Sequence, residues 1–409
     1  MLLARPLLRG RLDAALLLLI ACVALQLVPL PSGFVELLSP HGQDVRSALL
    51  LRQPPASPVR PLSIRASETE WALIVFAGAI ALFWTARSGF SRGGARRTVR
   101  GIAILGLALS AVAIAQAATA GPFIYRYFPT GFAGARPFGP FINRHHFATW
   151  AIMALPLCVG YLVARAGSRE SDDDSAIDGH TYVTVLRDAR GVWLLTSVAL
   201  MLIALLLSLS RVGATALLAS GTLTFLLVRR RIDFRRRAVL LGAGAMFLAA
   251  GIGWSGVPAS NERAAGTRAG RVDRLTIWRE TLPIVRDFGV TGTGAGTFGT
   301  AMLVYQRSDR SVHFNQARNH YLQVVAEGGL LLIVPTALAL VAFVRAAAEA
   351  LRRDRSLFLW IRTGAACGLC AVAVQSIWET GLTMPANAAL AATLAALLVH
   401  EREESKESK

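Results

Sequence analysis

The sequence predicts an all-α, polytopic integral membrane protein with about ten transmembrane helices and one long hydrophilic loop. Three observations predict it. The chain is 54% hydrophobic with a mean hydropathy of +0.49, more than a soluble domain ordinarily carries. Several apolar runs approach the ~20 residues that cross a bilayer. Clusters of arginine alternate with those runs, as the asymmetry of charge across a membrane requires.

The apolar runs fall at roughly 12–30, 70–86, 100–118, 146–165, 191–209, 212–228, 238–256, 329–348, 363–380 and 384–400. The short pair flanking Ser210 and Arg211 carries the weakest signal, and no internal repeat stands out. This divides the chain into an N-terminal bundle over 1–256 with about seven spans, an arginine-rich loop over 257–328, C-terminal membrane helices over 329–400 and a tail over 401–409. With the N-terminus on the cytoplasmic side, Arg5, Arg9 and Arg11 lie inside. So do Arg87 to Arg100, the run RRRIDFRRR at Arg229–Arg237, and Arg345 to Arg355. An even number of spans returns the tail EREESKESK to the same side. The acidic stretch SRESDDDSAIDGH reads as a linker.

The net charge of +18 invites a nucleic-acid reading, which the topology excludes: most inside arginines are explained by orientation and by contact with anionic membrane lipids. The outer loop is not explained that way. Pro258–Ala326 holds nine arginines against five acidic residues, and every basic residue of the chain except Lys406 and Lys409 is arginine. Genome composition is one reading of that bias. The other is that planar guanidinium forks hold phosphate bidentately, which lysine does not.

Two small motifs fall away. Leu19-Ile20-Ala21-Cys22 resembles a lipoprotein cleavage site, but the apolar run continues to Leu30 and reads as a retained span. Cys367 and Cys370 have redox spacing inside a span, without the strand–helix setting that spacing needs. With four cysteines and none on the long outer loop, there is no disulfide framework.

Candidate chemistry lies near the outer surface. Ser208-Leu209-Ser210-Arg211 sits at a turn between two spans, where a charge either lines a polar cavity or snorkels to headgroups. Asn143, Arg144, His145 and His146 open the fourth span; they suit a phosphate or lid contact, or an interfacial anchor. Adjacent histidines diverge on a helix, so no metal site is expected there. In the loop, Asp273–Phe288 places Leu275, Trp278, Leu282 and Val285 on one helical face flanked by Arg274, Arg279 and Arg286, which predicts an amphipathic helix on the membrane surface, with Pro283 kinking it or starting its second half. The run from Gly292 to Phe298 (GTGAGTF) brings backbone N–H groups within reach of a phosphate, although it follows no predicted strand.

The run WRETLPIVRDFGVTGTGAGTF, followed by QARNHYLQVVAEGGLL and a span, resembles the O-antigen ligase and polymerase superfamily; LSLSR and NRHHFA fit the same pattern. With the span pattern, the likeness covers most of the chain. It implies a GT-C-like glycosyltransferase of the bacterial inner membrane. Such a protein takes a glycan from an undecaprenyl-diphosphate donor at the periplasmic face and passes it to lipid A–core or another glycan acceptor. The family mechanism needs no metal ion or other cofactor. The resemblance places the membrane-edge arginine at Arg211 and the loop arginine at Arg274, with Arg279 as rival, as diphosphate ligands. One departure matters. The family reads Ala-His-Asn before Tyr-Leu, its histidine being the proposed base, whereas this chain reads Ala317-Arg318-Asn319-His320. Arginine does not accept a proton at physiological pH. His320 is then the expected base, His313 the substitute, and Arg318 an addition to the phosphate-binding surface, with Asn319, Asn143, Arg144 and His145 in support.

A transporter or a lipid-binding protein without chemistry is the rival reading. Apart from Arg211 few ionisable groups lie at mid-span, and no Gly/Pro-broken pair of segments recurs in two halves.

Overall fold

The computed structural model describes residues 10–49, 58–118, 123–124, 127–129, 137–170, 189–228, 274–308, 310 and 312–401. The expected span 238–256, the RRRIDFRRR run, the acidic linker from residue 171 on and the start of the arginine-rich loop lie outside them. The described chain is mostly helical. Its helices are α1 (Arg11–Leu25), α2 (Ser32–Leu38), α3 (Gly42–Ala48), α4 (Ala66–Ser91), α5 (Ala95–Ala118), α6 (Arg144–Glu170), α7 (Ala189–Leu207), α8 (Arg211–Val228), α9 (Arg274–Asp287), α10 (Phe298–Tyr305), α11 (His320–Arg353), α12 (Phe358–Gln375) and α13 (Pro385–Val399). Two antiparallel pairs of two-residue strands, Leu30–Pro31 with Val59–Arg60 and Phe123–Ile124 with Phe128–Pro129, pin connecting segments.

Among the described residues, α4, α5, α6, α7, α11 and α12 are long and apolar enough to cross a membrane. The apolar helices α1 and α13 are shorter, with 15 residues each, and α8 has 18. Two expected spans end early. The first stops at Leu25, where the buried side chain of Gln26 turns to bond the loop backbone. That predicted over 363–380 stops at Gln375, and Ser376–Thr380 leaves the helix.

The chain forms two compact units. One comprises Met1–Thr85, Thr267–Ala346 and Ser376–Thr380; the other comprises Ala86–Gly266, Ala347–Gln375 and Gly381–Lys409. In the first, the loop helices build a true core: Ile277, Ile284 and Phe288 of the α9 region meet Phe298 and Met302 of α10, Phe314, Ala317 and Ala326. Each large apolar side chain there contributes about 1.5–3 kcal/mol. This core takes a second face of α9, beside the leucine stripe expected to lie on the membrane. The helix's buried stripe is Ile277, Thr281 and Ile284, while Leu275 and Leu282 stay 50% and 57% exposed. Trp278 turns partly inward, its indole N–H donating to the Ala317 carbonyl. The helix is amphipathic, but a protein core takes the face that a periodicity argument leaves to either partner.

Helix α11 runs 34 residues and breaks at Gly329, whose φ of 52° and ψ of −155° only glycine tolerates well. The span expected from 329 therefore begins at this kink, and the helix itself starts nine residues sooner, at His320.

In the second unit, α12 packs along α6 through glycine. A Cβ on Gly364 would strike the Pro156 carbonyl, and one on Gly368 would lie 2.7 Å from that of Met153, the close backbone approach that small residues allow between membrane helices. The Ser197 hydroxyl of α7 donates to Ala103 of α5. The buried Arg362 donates to the last carbonyls of α13, at Leu398 and His400, and pairs with Asp354 at 3.0 Å. A charge is thereby accommodated inside a span end by caps and a counter-ion.

Candidate active site

The glycine run of the loop is a structural clasp. The N–H groups of all seven residues from Gly292 to Phe298 donate to protein acceptors: those of Phe288, Ala326, Glu327 and Gly294 on the backbone, the Gln26 side chain, and both carboxylate oxygens of Glu327. None is left for a phosphate, which overturns that reading of the run. The clasp closes on the kink of α11, where Leu330 and Leu331 donate to the carbonyls of Gly289 and Val290. A Cβ on Gly292 would overlap the Glu327 carbonyl, so glycine is needed there for close approach. Gln26 seals the clasp, donating to the carbonyls of Thr291 and Glu327.

The clasp fixes the start of α11, and the arginines assemble there. Arg318 sits in the left-handed region at φ 49°. Asn319 then caps the helix, its side-chain oxygen accepting the Leu322 N–H at 3.0 Å, and His320 is the first helical residue. The His320 N–H donates to the Ser376 carbonyl at 2.8 Å, which ties this turn to Ser376–Thr380. That segment carries Glu379, whose side chain is only 2% exposed. Arg274 of α9 reaches its carboxylate at 2.6 Å and Arg318 at 3.8 Å. Burial pushes the Glu379 carboxyl above its ordinary range, while the Arg318 and Arg274 guanidiniums pull it back. The Thr380 hydroxyl donates to Gln316, completing the junction.

The structure thus brings Arg274, Arg318 and His320 to one place and sets Arg279 apart. Arg279 lies on the exposed side of α9, with no ion pair among the described residues. His320 is half-buried; its Nδ1 is shut off from solvent and has no hydrogen-bond partner among the described residues. His313 lies elsewhere in the same unit, exposed, on a segment that Gln306 holds by its bonds to Val312 and Phe314. There it lines a cleft with Arg65, Glu68, Gly296, Thr300 and Asn315.

In the second unit the LSLSR and NRHHFA pieces meet. Leu209 has φ 54°, Ser210 caps α8 by accepting the Gly213 N–H, and Arg211 follows as the first helical residue with its side chain exposed. The buried Ser210 hydroxyl also meets His145 Nδ1 at 3.0 Å. Asn143 caps α6 through the His145 N–H, and Arg144 is the first residue of that helix. Asn143 and Asn319 therefore position their neighbours.

Sequence reasoning missed Glu379, Glu327 and Gln26. For Glu379 a signal was present: a lone carboxylate at the end of an apolar run is costly unless paired. Nothing marked Glu327 or Gln26 without the partner segments in view.

Residues 196–337 match the family model described as O-antigen ligase. That is a little over a third of the chain, and it includes Arg211, Arg274, Arg279, His313, Arg318 and His320 but not Asn143–His145 or Glu379. No curated protein matches the chain. The resemblance read from the sequence therefore holds over this segment, and the six long apolar helices among the described residues suit a membrane-embedded protein.

Proposed function

We propose that the chain transfers a glycan from an undecaprenyl-diphosphate carrier to a lipid A–core acceptor at the periplasmic face of a bacterial inner membrane, without a metal. The observation that supports this most is the convergence of Arg274 and Arg318 on the buried Glu379 beside His320. One carboxylate between two guanidiniums leaves a net positive charge held in place before substrate arrives. The reaction breaks the bond between the anomeric carbon and a diphosphate oxygen while the acceptor oxygen bonds that carbon. Negative charge grows on the leaving diphosphate, and preorganised guanidinium groups stabilise it at no cost in reorganisation. Glu379 is a positioning residue in this scheme. His320 takes the acceptor proton; with Nδ1 shut away, Nε2 is the nitrogen left for it.

Arg211 is assigned to diphosphate on its own chemistry. It occupies the first turn of an 18-residue helix, whose N-terminal end is already positively polarised, so a cation there is unfavourable until an anion arrives. Arg279 remains the alternative loop ligand. In this reading the loop over 257–328 is periplasmic and both termini are cytoplasmic. Thiol labelling from outside should then reach Arg310→Cys and miss Arg92→Cys; the reverse result would overturn the orientation.

Polymerisation uses the same chemistry, with a second lipid-linked glycan as acceptor. Deleting the gene in its host separates the two. Loss of all polymer on lipid A–core, with lipid-linked chains accumulating, marks a ligase; chains of a single unit mark a polymerase. Unchanged surface glycan rejects both.

A further inference from the structure

We propose that the cleft between the start of α4 and α10 binds a neutral sugar ring. It has a volume of about 260 Å³, below the ~300–1,000 Å³ of pockets for drug-sized ligands, so one ring fits and a lipid tail does not. Its walls carry paired hydrogen-bonding groups: the carboxylate of Glu68, the carboxamide of Asn315 and the imidazole of His313. Leu303, 53% exposed, adds an apolar patch for the C–H face of a ring.

The charge balance selects against an anion. Arg65 is paired with Glu68 at 3.1 Å, so its guanidinium is already neutralised. The other Glu68 oxygen accepts the Thr300 hydroxyl at 2.8 Å, which holds the carboxylate in place on the cleft wall, and each oxygen keeps a further lone pair for another donor. The N–H of Gly296, which lines the cleft, is consumed by Glu327. A phosphate would find no free donor from the glycine run and a carboxylate in its way, whereas sugar hydroxyls both donate and accept.

Two glycines keep the space open. A Cβ on Gly299 would sit 3.3 Å from the Asn315 Cα and 3.4 Å from His313 Nε2, and one on Gly296 would lie 3.0 Å from the Glu68 carbonyl. Side chains there would occupy the ligand's place. The inference deepens the transfer reading, on which its biological meaning rests, by naming a sugar subsite apart from the arginine–Glu379 cluster.

The test is saturation-transfer NMR on the full chain in detergent, with the methyl glycosides of glucose, galactose, mannose and N-acetylglucosamine at millimolar concentration. At least one glycoside should receive saturation. Asn315→Leu and His313→Leu, both at exposed positions, should weaken that binding roughly tenfold each, the loss of one or two hydrogen bonds, with the thermal midpoint unchanged. Inorganic pyrophosphate should not compete. The assignment is overturned if no glycoside receives saturation, if both variants bind as the wild type does, or if pyrophosphate displaces the sugar. Glycan transfer is measured separately. A chain that transfers without binding these glycosides rejects the cleft alone, and one that binds them without transferring rejects the function alone.

Discussion

The turns before α8 and α11 use one backbone device to opposite ends. In each, a non-glycine residue adopts a left-handed conformation, Leu209 at φ 54° and Arg318 at φ 49°, at a cost of about 1–2 kcal/mol. A polar cap follows, Ser210 or Asn319, and then the first helical residue, Arg211 or His320. In the first turn the strained residue is apolar and the charge comes after the cap, pointing outward. In the second the strained residue is itself the arginine, and the left-handed step goes with its side chain reaching Glu379 while the histidine is tucked in. Identical local geometry thus serves as a plain reversal in one place and as a means of aiming a charge in the other.

The largest effect should come from the charge after the first cap. Arg211→Ala is expected to lower transfer by at least ~100-fold, the scale of removing a preorganised electrostatic group. Arg211→Lys should recover little, because a point charge does not replace the fork. Wild-type transfer in either variant would make the first turn a mere anchor at the membrane surface.

Next is the residue after the second cap. His320→Ala should lower transfer by ~10²-fold or more, as the loss of a general base does, with protein levels in the membrane unchanged. Should the wild type prove inert and Arg318→His restore transfer, the second turn would be a silenced site and His320 would not be the base.

Glu379→Gln separates positioning from structure. Because burial raises the Glu379 pKa in the fold, its ionised form is disfavoured there relative to the unfolded chain. Its contribution to stability is therefore present at low pH and lost as pH rises through the raised value. The glutamine variant should then be as stable as the wild type at neutral pH, or more so, while transfer falls about tenfold because Arg274 and Arg318 lose their common anchor. On acidification wild-type transfer should fall further than the variant's, which loses only the proton acceptor of His320. A clear loss of thermal stability in Glu379→Gln would make the cluster structural.

The smallest effects test the strain itself. Leu209→Gly should be neutral to about 1 kcal/mol stabilising, since relief of the left-handed strain is offset by glycine's greater unfolded freedom, and transfer should persist. Arg318→Gly relieves the same strain but should lose transfer. Equal activity in the two variants would remove the distinction between the turns.

Much of this was legible in the chain. The spans over 70–86, 100–118 and 146–165 lie within helices α4 to α6, and that over 191–209 overruns α7 by two residues, because bilayer-length apolar runs need no tertiary partner to be recognised. Arg211 was likewise visible as a charge out of place beside membrane segments, and the family resemblance singled out Arg274 and His320. The buried face of Ile277 and Ile284 was not legible, because helical periodicity shows which residues share a face and not what covers it. The glycine run misled for a related reason: its N–H groups are available to a phosphate only if nothing else takes them, and Gln26 and Glu327, about 270 and 30 residues away in the chain, do so.

By itself, then, the sequence determined the long apolar helices from α4 to α7 and the arginine-rich character of the loop, which follow from local composition and spacing, while the place of the expected base came from the family resemblance. Only the tertiary structure decided that α9 packs into a protein core, that Arg274 and Arg318 share Glu379, and that His313 faces a cleft while His320 stands beside the arginines. These depend on hydrogen bonds and ion pairs between segments far apart in the chain, and no local pattern encodes which partner a buried polar group will find.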